Sequence, residues 1–106
     1  MKPALFTTVV TMALVAYAAN AMAAETVQVL VKGMAFAPAA VIARVGDTII
    51  WTNQDFVAHT ATTTDKQWDL LIPAGKSASL VVTVPGTIAY FCRFHPMMKG
   101  TVFVAE

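Results

Sequence analysis

One segment, Cys92-Arg93-Phe94-His95-Pro96-Met97-Met98-Lys99-Gly100, carries a thiol, an imidazole and a thioether at three-residue intervals. Cys92 is the only cysteine in the chain. A thiolate, an imidazole and a thioether are soft or borderline ligands, and that set suits copper best. The segment lies between two apolar runs, Thr87 to Phe91 and Thr101 to Ala105, so it predicts a tight loop joining two strands rather than a helix. Such a loop can bring three donors around one ion. A fourth must come from elsewhere in the chain, and His59 is the only histidine besides His95.

The lone cysteine gains meaning from the N-terminus. Lys2 supplies a positive start, Ala4 to Ala19 is apolar, and Ala21-Met22-Ala23 fits the small-x-small pattern of a secretory cleavage site. The apolar run, residues 4–19, is shorter than the roughly 20 residues a spanning helix needs. Residues 1–23 therefore read as a signal peptide, and 24–106 as the mature domain. Taking 23 from 106 leaves 83 residues, enough for one small domain. Removing Lys2 leaves six of the seven basic residues against six acidic ones. The net charge of zero and the absence of a basic field or phosphate loop exclude nucleic acid as a partner. The leader inflates the mean hydropathy, so no stable membrane insertion is expected after cleavage. In an oxidising compartment an unpartnered thiol is a liability. Cys92 must be buried, paired to another chain, or bound to a metal.

Strands are expected at both sides of each candidate ligand. Thr26 to Lys32 alternates, with Val27, Val29 and Val31 on one face. Gly33 breaks it, and Met34 to Pro38 reads as an irregular apolar edge. Val41 to Val45, Thr48 to Asn53 and Ala58 to Thr64 follow as strands, the last holding His59. Asn53-Gln54-Asp55 is polar and turn-like. Asp65 to Ile72 reads as a loop with a short strand around Trp68 to Leu71. Ser77 to Val84 alternates, with Ala78, Leu80, Val82 and Val84 on one face. Thr87 to Cys92 puts Ile88, Tyr90 and Cys92 on the core side. Thr101 to Ala105 puts Val102 and Val104 inward. Roughly seven short strands with frequent turns predict an all-β Greek-key sandwich in a single small domain.

These residues carry a family resemblance. Val45-Gly46-Asp47-Thr48-Ile49-Ile50-Trp51-Thr52-Asn53, then His59, then Pro85-Gly86-Thr87, then Tyr90 through Gly100 resemble the cupredoxins, the small blue copper proteins. The histidine 33 positions before Cys92 and the two-residue gap between His95 and Met98 are most similar to amicyanin. The resemblance implies one type 1 copper ion. It implies His59, Cys92 and His95 as strong ligands, and Met98 as a long axial one. Two imidazoles, a thiolate and a weak thioether make an electron-transfer site.

The resemblance also implies a function. The chain is expected to shuttle single electrons in the periplasm, from a donor dehydrogenase or similar protein to a c-type cytochrome or an oxidase. A monomer is expected. Electrons would pass the His95 edge, within an apolar partner patch of Met34, Phe56, His95, Pro96 and Met97. Amicyanin and most relatives carry asparagine where this chain has Thr60. Thr60 keeps the backbone N–H for the cysteine sulfur but changes the side-chain contact around the copper, and Asn53 is expected to support the ligand loop beside it. A periplasmic copper carrier or chaperone is the alternative, because the same ligands could hold copper for delivery. A Cys92–His95 nucleophilic pair lacks an orienting residue, so an enzyme is not expected. A structural zinc site would want four Cys or His ligands, and the chain has three.

Overall fold

The computed structural model describes residues 3, 4, 8, 9, 11 and 23–106. The leader expected over 1–23 falls almost wholly outside these residues. Among the described residues there are nine strands and no helix. They are β1 (Thr26–Lys32), β2 (Ala35–Ala37), β3 (Ala40–Arg44), β4 (Thr48–Asn53), β5 (His59–Thr63), β6 (Asp69–Ile72), β7 (Ser77–Val81), β8 (Gly86–Phe91) and β9 (Lys99–Ala105). Roughly seven were expected, besides the short strand read around Trp68 to Leu71, which is β6 one residue further on. Only β2 was not read as a strand: it is a three-residue edge strand, too short to show a period.

The strands form two mixed sheets, ordered β2-β1-β4-β7 and β3-β9-β8-β5-β6. Two parallel pairings, β1 with β4 and β3 with β9, mark where the chain crosses between sheets. Alternation sets the buried face. Val29 and Val31 of β1, Ile49 and Trp51 of β4, and Val102 and Val104 of β9 all point into the space between the sheets. The inward run expected through Val84 stops early. The partner of β7, β4, begins at Thr48 opposite Val81, so the ladder ends there and Val84 is exposed.

Aromatic rings fill the centre. Tyr90 lies edge-on to Trp51 at 5.6 Å and to Phe36 at 4.8 Å between ring centres. The Trp51 indole N–H donates to the Tyr90 hydroxyl at 3.2 Å. Burial pushes the Tyr90 phenol up to about 12, with that indole pulling the other way. Tyr90 pairs with Gly100 across the β8–β9 ladder. A Cβ on Gly100 would collide with the Tyr90 ring, so glycine is what lets the loop after Cys92 rejoin the sheet.

β5 and β8 pair at only two positions, Thr62 with Phe91 and Thr63 with Tyr90. Beyond them the ladder gives way, and His59 and Cys92 lie at that opening. The site occupies the break.

Candidate metal centre

Three donors meet where β5 and β8 part. The Cys92 sulfur lies 3.7 Å from Nδ1 of His59 and 3.8 Å from Nδ1 of His95. One donor atom from each of these residues fits within a 4.8 Å span. His59 and Cys92 are fully buried, and His95 is half-buried. The two imidazoles lie at 61° to each other with centres 5.2 Å apart, each with its Nδ1 toward the thiol.

The loop is wound tightly by its own backbone. The His95 N–H donates to Cys92 O at 3.2 Å, the Met98 N–H to His95 O at 2.9 Å, and the Cys92 N–H to Met98 O at 3.1 Å. These bonds fold Cys92, His95 and Met98 back on one another. Met98 is buried at 4% exposure, whereas Met97 is 91% exposed, so the adjacent methionines face opposite ways.

His59 is oriented from behind. Its Nε2 lies 2.8 Å from Asp55 Oδ2. A carboxylate only accepts, so Nε2 carries the hydrogen and the Nδ1 lone pair is aimed at Cys92. Asp55 is fixed in turn by the β1–β2 hairpin. The Gly33 and Met34 N–H groups donate to its two oxygens at 2.7 and 3.0 Å. Both turn residues have positive φ, near 60°, the geometry of a type I′ turn. The Met34 amide, then the His59 and Gly33 contacts, hold the Asp55 carboxyl below its usual range against the opposing pull of burial. Sequence reasoning took Asp55 only as part of a turn. A carboxylate four residues before the histidine was the available signal.

The other expected residues are placed as follows. The Thr60 N–H donates to Cys92 Sγ at 3.4 Å, and the Thr60 hydroxyl accepts from the Arg93 N–H at 2.8 Å. Asn53 is buried. Its side chain donates to Val57 O, Ile72 O and Pro73 O and accepts from the Asp55 N–H, so it braces the loop leading into His59. A groove of about 450 Å³ lies outside the thiol, lined by Met34, Phe94, His95, Pro96, Met97 and Met98. Phe56 is fully exposed and is not part of its lining. Phe94, which sequence reasoning left out, takes a place in it.

The donor set fits copper better than zinc. It offers one thiolate and two imidazoles beside a buried thioether, and no second thiolate or third imidazole. No buried side-chain nitrogen or oxygen lacks a hydrogen-bond partner among the described residues. The polar surroundings are therefore already complete without the converging donor atoms.

A family model, the cupredoxin-like domain, matches residues 5–104. No curated protein is similar enough in sequence to count as a relative. Among solved structures, the Cu(I) form of a methionine-to-alanine variant of amicyanin is 26% identical with a TM-score of 0.70, covering 79% of this chain and 86% of that one. A reduced tryptophan-to-tyrosine variant of amicyanin is 25% identical with a TM-score of 0.69, covering 74% and 81%. A reduced proline-to-phenylalanine variant is 28% identical with a TM-score of 0.66 over the same shares. The cofactor that family and donor set agree on is one copper ion. The chain belongs to the cupredoxin-like family, and it is a copper electron-transfer protein.

Proposed function

We propose that the mature domain, residues 24–106, is a periplasmic carrier of single electrons between redox proteins, and not an enzyme. His59, Cys92 and His95 would hold the copper as strong ligands, with Met98 as the weak axial one. The observation that carries this reading is the convergence of two imidazole Nδ1 atoms on a buried thiol at 3.7 and 3.8 Å. When bound, copper supplies a one-electron couple between Cu(II) and Cu(I).

The protein's own residues do the rest. Asp55 holds the His59 ring in one tautomer and one orientation, so the donor geometry is set before any ion arrives. The Thr60 N–H stabilises charge on the Cys92 sulfur. Burial of His59, Cys92 and Met98 excludes water and keeps the donors from rearranging between oxidation states. His95 alone reaches the surface, inside the apolar groove with Met34, Pro96 and Met97. This edge is the electron port, and a small apolar rim suits a transient partner. The donor would be a dehydrogenase or similar protein, and the acceptor a c-type cytochrome or an oxidase. Three buried donors of four favour retention of the metal over delivery, which counts against a copper chaperone.

Titration of the purified protein with Cu(II) tests the reading. One equivalent is expected to produce an intense thiolate-to-copper band in the visible, and Cys92→Ser is expected to lose it. The colour should survive repeated reduction and reoxidation in the presence of a chelator. A colourless one-to-one complex overturns the copper assignment, and rapid loss of the ion to the chelator overturns the carrier of electrons in favour of the carrier of copper.

A further inference from the structure

Arg93, next to the thiol, is bound at both ends. Its N–H donates to Thr60 Oγ1 at 2.8 Å, and its Nε donates to Asp69 Oδ1 at 2.7 Å. The two ends are joined through the protein. Thr60 Oγ1 lies 2.9 Å from Thr62 Oγ1, and the Thr62 hydroxyl donates to Asp69 Oδ1 at 2.9 Å. The links close a ring that begins and ends on one residue.

The direction of every bond in the ring follows from its chemistry. Asp69 accepts and cannot donate, so it receives the Thr62 proton. Thr62 then has only lone pairs to offer Thr60, so Thr60 donates to it. The Thr60 oxygen is left to accept from the Arg93 N–H. The chain therefore runs head to tail from the amide beside Cys92 to a carboxylate at the surface, and such chains polarise along their length. Thr60 and Thr62 are buried, and the Asp69 and Arg93 side chains are 47% and 42% exposed. Arg93, then the Thr62 hydroxyl, hold the Asp69 carboxyl below its usual range.

The ring stands where the sheet fails. Continuing the Thr62–Phe91 register by two residues on each strand would place Thr60 opposite Arg93. There the Arg93 N–H finds a side-chain hydroxyl in place of a strand carbonyl. The same Thr60 gives its own N–H to the Cys92 sulfur at 3.4 Å. An exposed ion pair contributes little by itself. The Asp69 contact with a buried hydroxyl is the one that reaches inward.

We propose that Asp69 is a positioning residue for the Cys92 loop: through the Thr62 and Thr60 hydroxyls it holds the Arg93 amide, and so sets the N–H···S bond that Thr60 gives the thiolate. The spectroscopic consequence rests on the copper reading above. The ring itself does not.

Amide hydrogen exchange on the metal-free protein tests the ring. Thr62→Val removes the middle link with little change of shape, Thr62→Ser restores it, and Asp69→Ala removes the anchor from the surface. The Arg93 amide is expected to exchange roughly five- to tenfold faster in the first and last, the factor set by the net worth of one hydrogen bond. Thr62→Ser should match wild type, and amides in β1 and β9 should not change. In the Cu(II) protein, Thr62→Val and Asp69→Ala are expected to shift the visible band and lower the midpoint potential, because a weaker N–H···S bond lets the thiolate donate more to Cu(II). Unchanged Arg93 exchange in both variants overturns the ring. Faster exchange across all strands alike shows general loosening and overturns it too. Fast Arg93 exchange with an unmoved band and potential overturns the link to the sulfur. If Thr62→Val does not fold, the surface variant Asp69→Ala decides alone. A wild type without the band would refute the copper reading, while the exchange result still decides the ring.

Discussion

The Asp55 carboxylate lies 2.8 Å behind the His59 ring while the Cys92 thiol lies 3.7 Å in front of it. The same carboxylate ties down the Gly33–Met34 turn. One side chain thus couples His59 to the hairpin that edges the groove. Asp55→Ala is expected to weaken copper binding by about 10- to 100-fold, the usual effect of losing such a partner. Asp55→Asn should lose less, since its amide oxygen still accepts from Nε2. Competition with a chelator of known affinity measures both, and an asparagine variant as weak as the alanine one would refute the orienting role.

The two methionines should separate by readout. Met98 is buried beside the donors and Met97 is exposed. Met98→Gln is expected to change the visible spectrum and lower the potential, because an oxygen donor favours Cu(II). Met97→Gln should leave the spectrum unchanged and slow electron exchange with partner proteins. Spectra, voltammetry and stopped-flow kinetics together make the comparison, and the reverse pattern would exchange the two roles.

Gly100→Ala is expected to destabilise the fold by about 1–3 kcal/mol, the usual cost of overpacking. The new methyl would meet the Tyr90 ring, which is itself fixed by Trp51 and Phe36 and has little room to give. Denaturant melts of the metal-free protein give the number. A further substitution, Tyr90→Leu, should absorb part of the loss if the collision is its cause.

Asp47 should govern part of the acid limb of stability. It is buried and accepts from the Glu25 and Arg44 amides at 2.9 and 2.8 Å, which with the Arg44 charge hold its carboxyl below the usual range. A folded value below the unfolded one means that its contribution is complete above the ordinary carboxylate range, about 3.9, and is lost as pH falls through the folded value. Asp47→Asn should therefore melt lower than wild type at neutral pH, with the gap narrowing below about pH 4. Thermal melts of the metal-free pair across that range check it, and a constant gap would assign the loss to something other than ionisation.

The legible parts of the chain were those with a period or a short reach. β1 and β4 were bounded correctly because each buries one face, which writes alternation into Thr26–Lys32 and Thr48–Asn53. β5 has no such alternation, since all five of its residues are buried, and its threonine-rich run around His59 was what pointed to it. The convergence of Cys92, His95 and Met98 could be read because seven residues of loop contain them. Asp55 left only its place four residues before His59 as a signal, and the ring through Asp69 left none. The bonds that anchor them, from Gly33 and Met34 to Asp55 and from Arg93 to Thr60 and Asp69, join segments 21 to 33 residues apart and depend on strand register and on how the sheet opens. Thr60 was noticed as a departure, yet its partner Arg93 N–H became visible only in three dimensions.

The order of the strands bears on how copies of the protein behave when crowded together. The four outermost strands, β2, β7, β3 and β6, have three to five residues each, whereas the longest strands, β1 and β9, lie inside their sheets. A second copy arriving edge to edge finds few free N–H and C=O groups to extend, so it gains little by adding to either sheet. Collisions between copies should end in separation rather than fibrils. A sticky groove around His95 is tolerable on such a body, because hydrophobic encounters there have no long open edge nearby on which to become permanent.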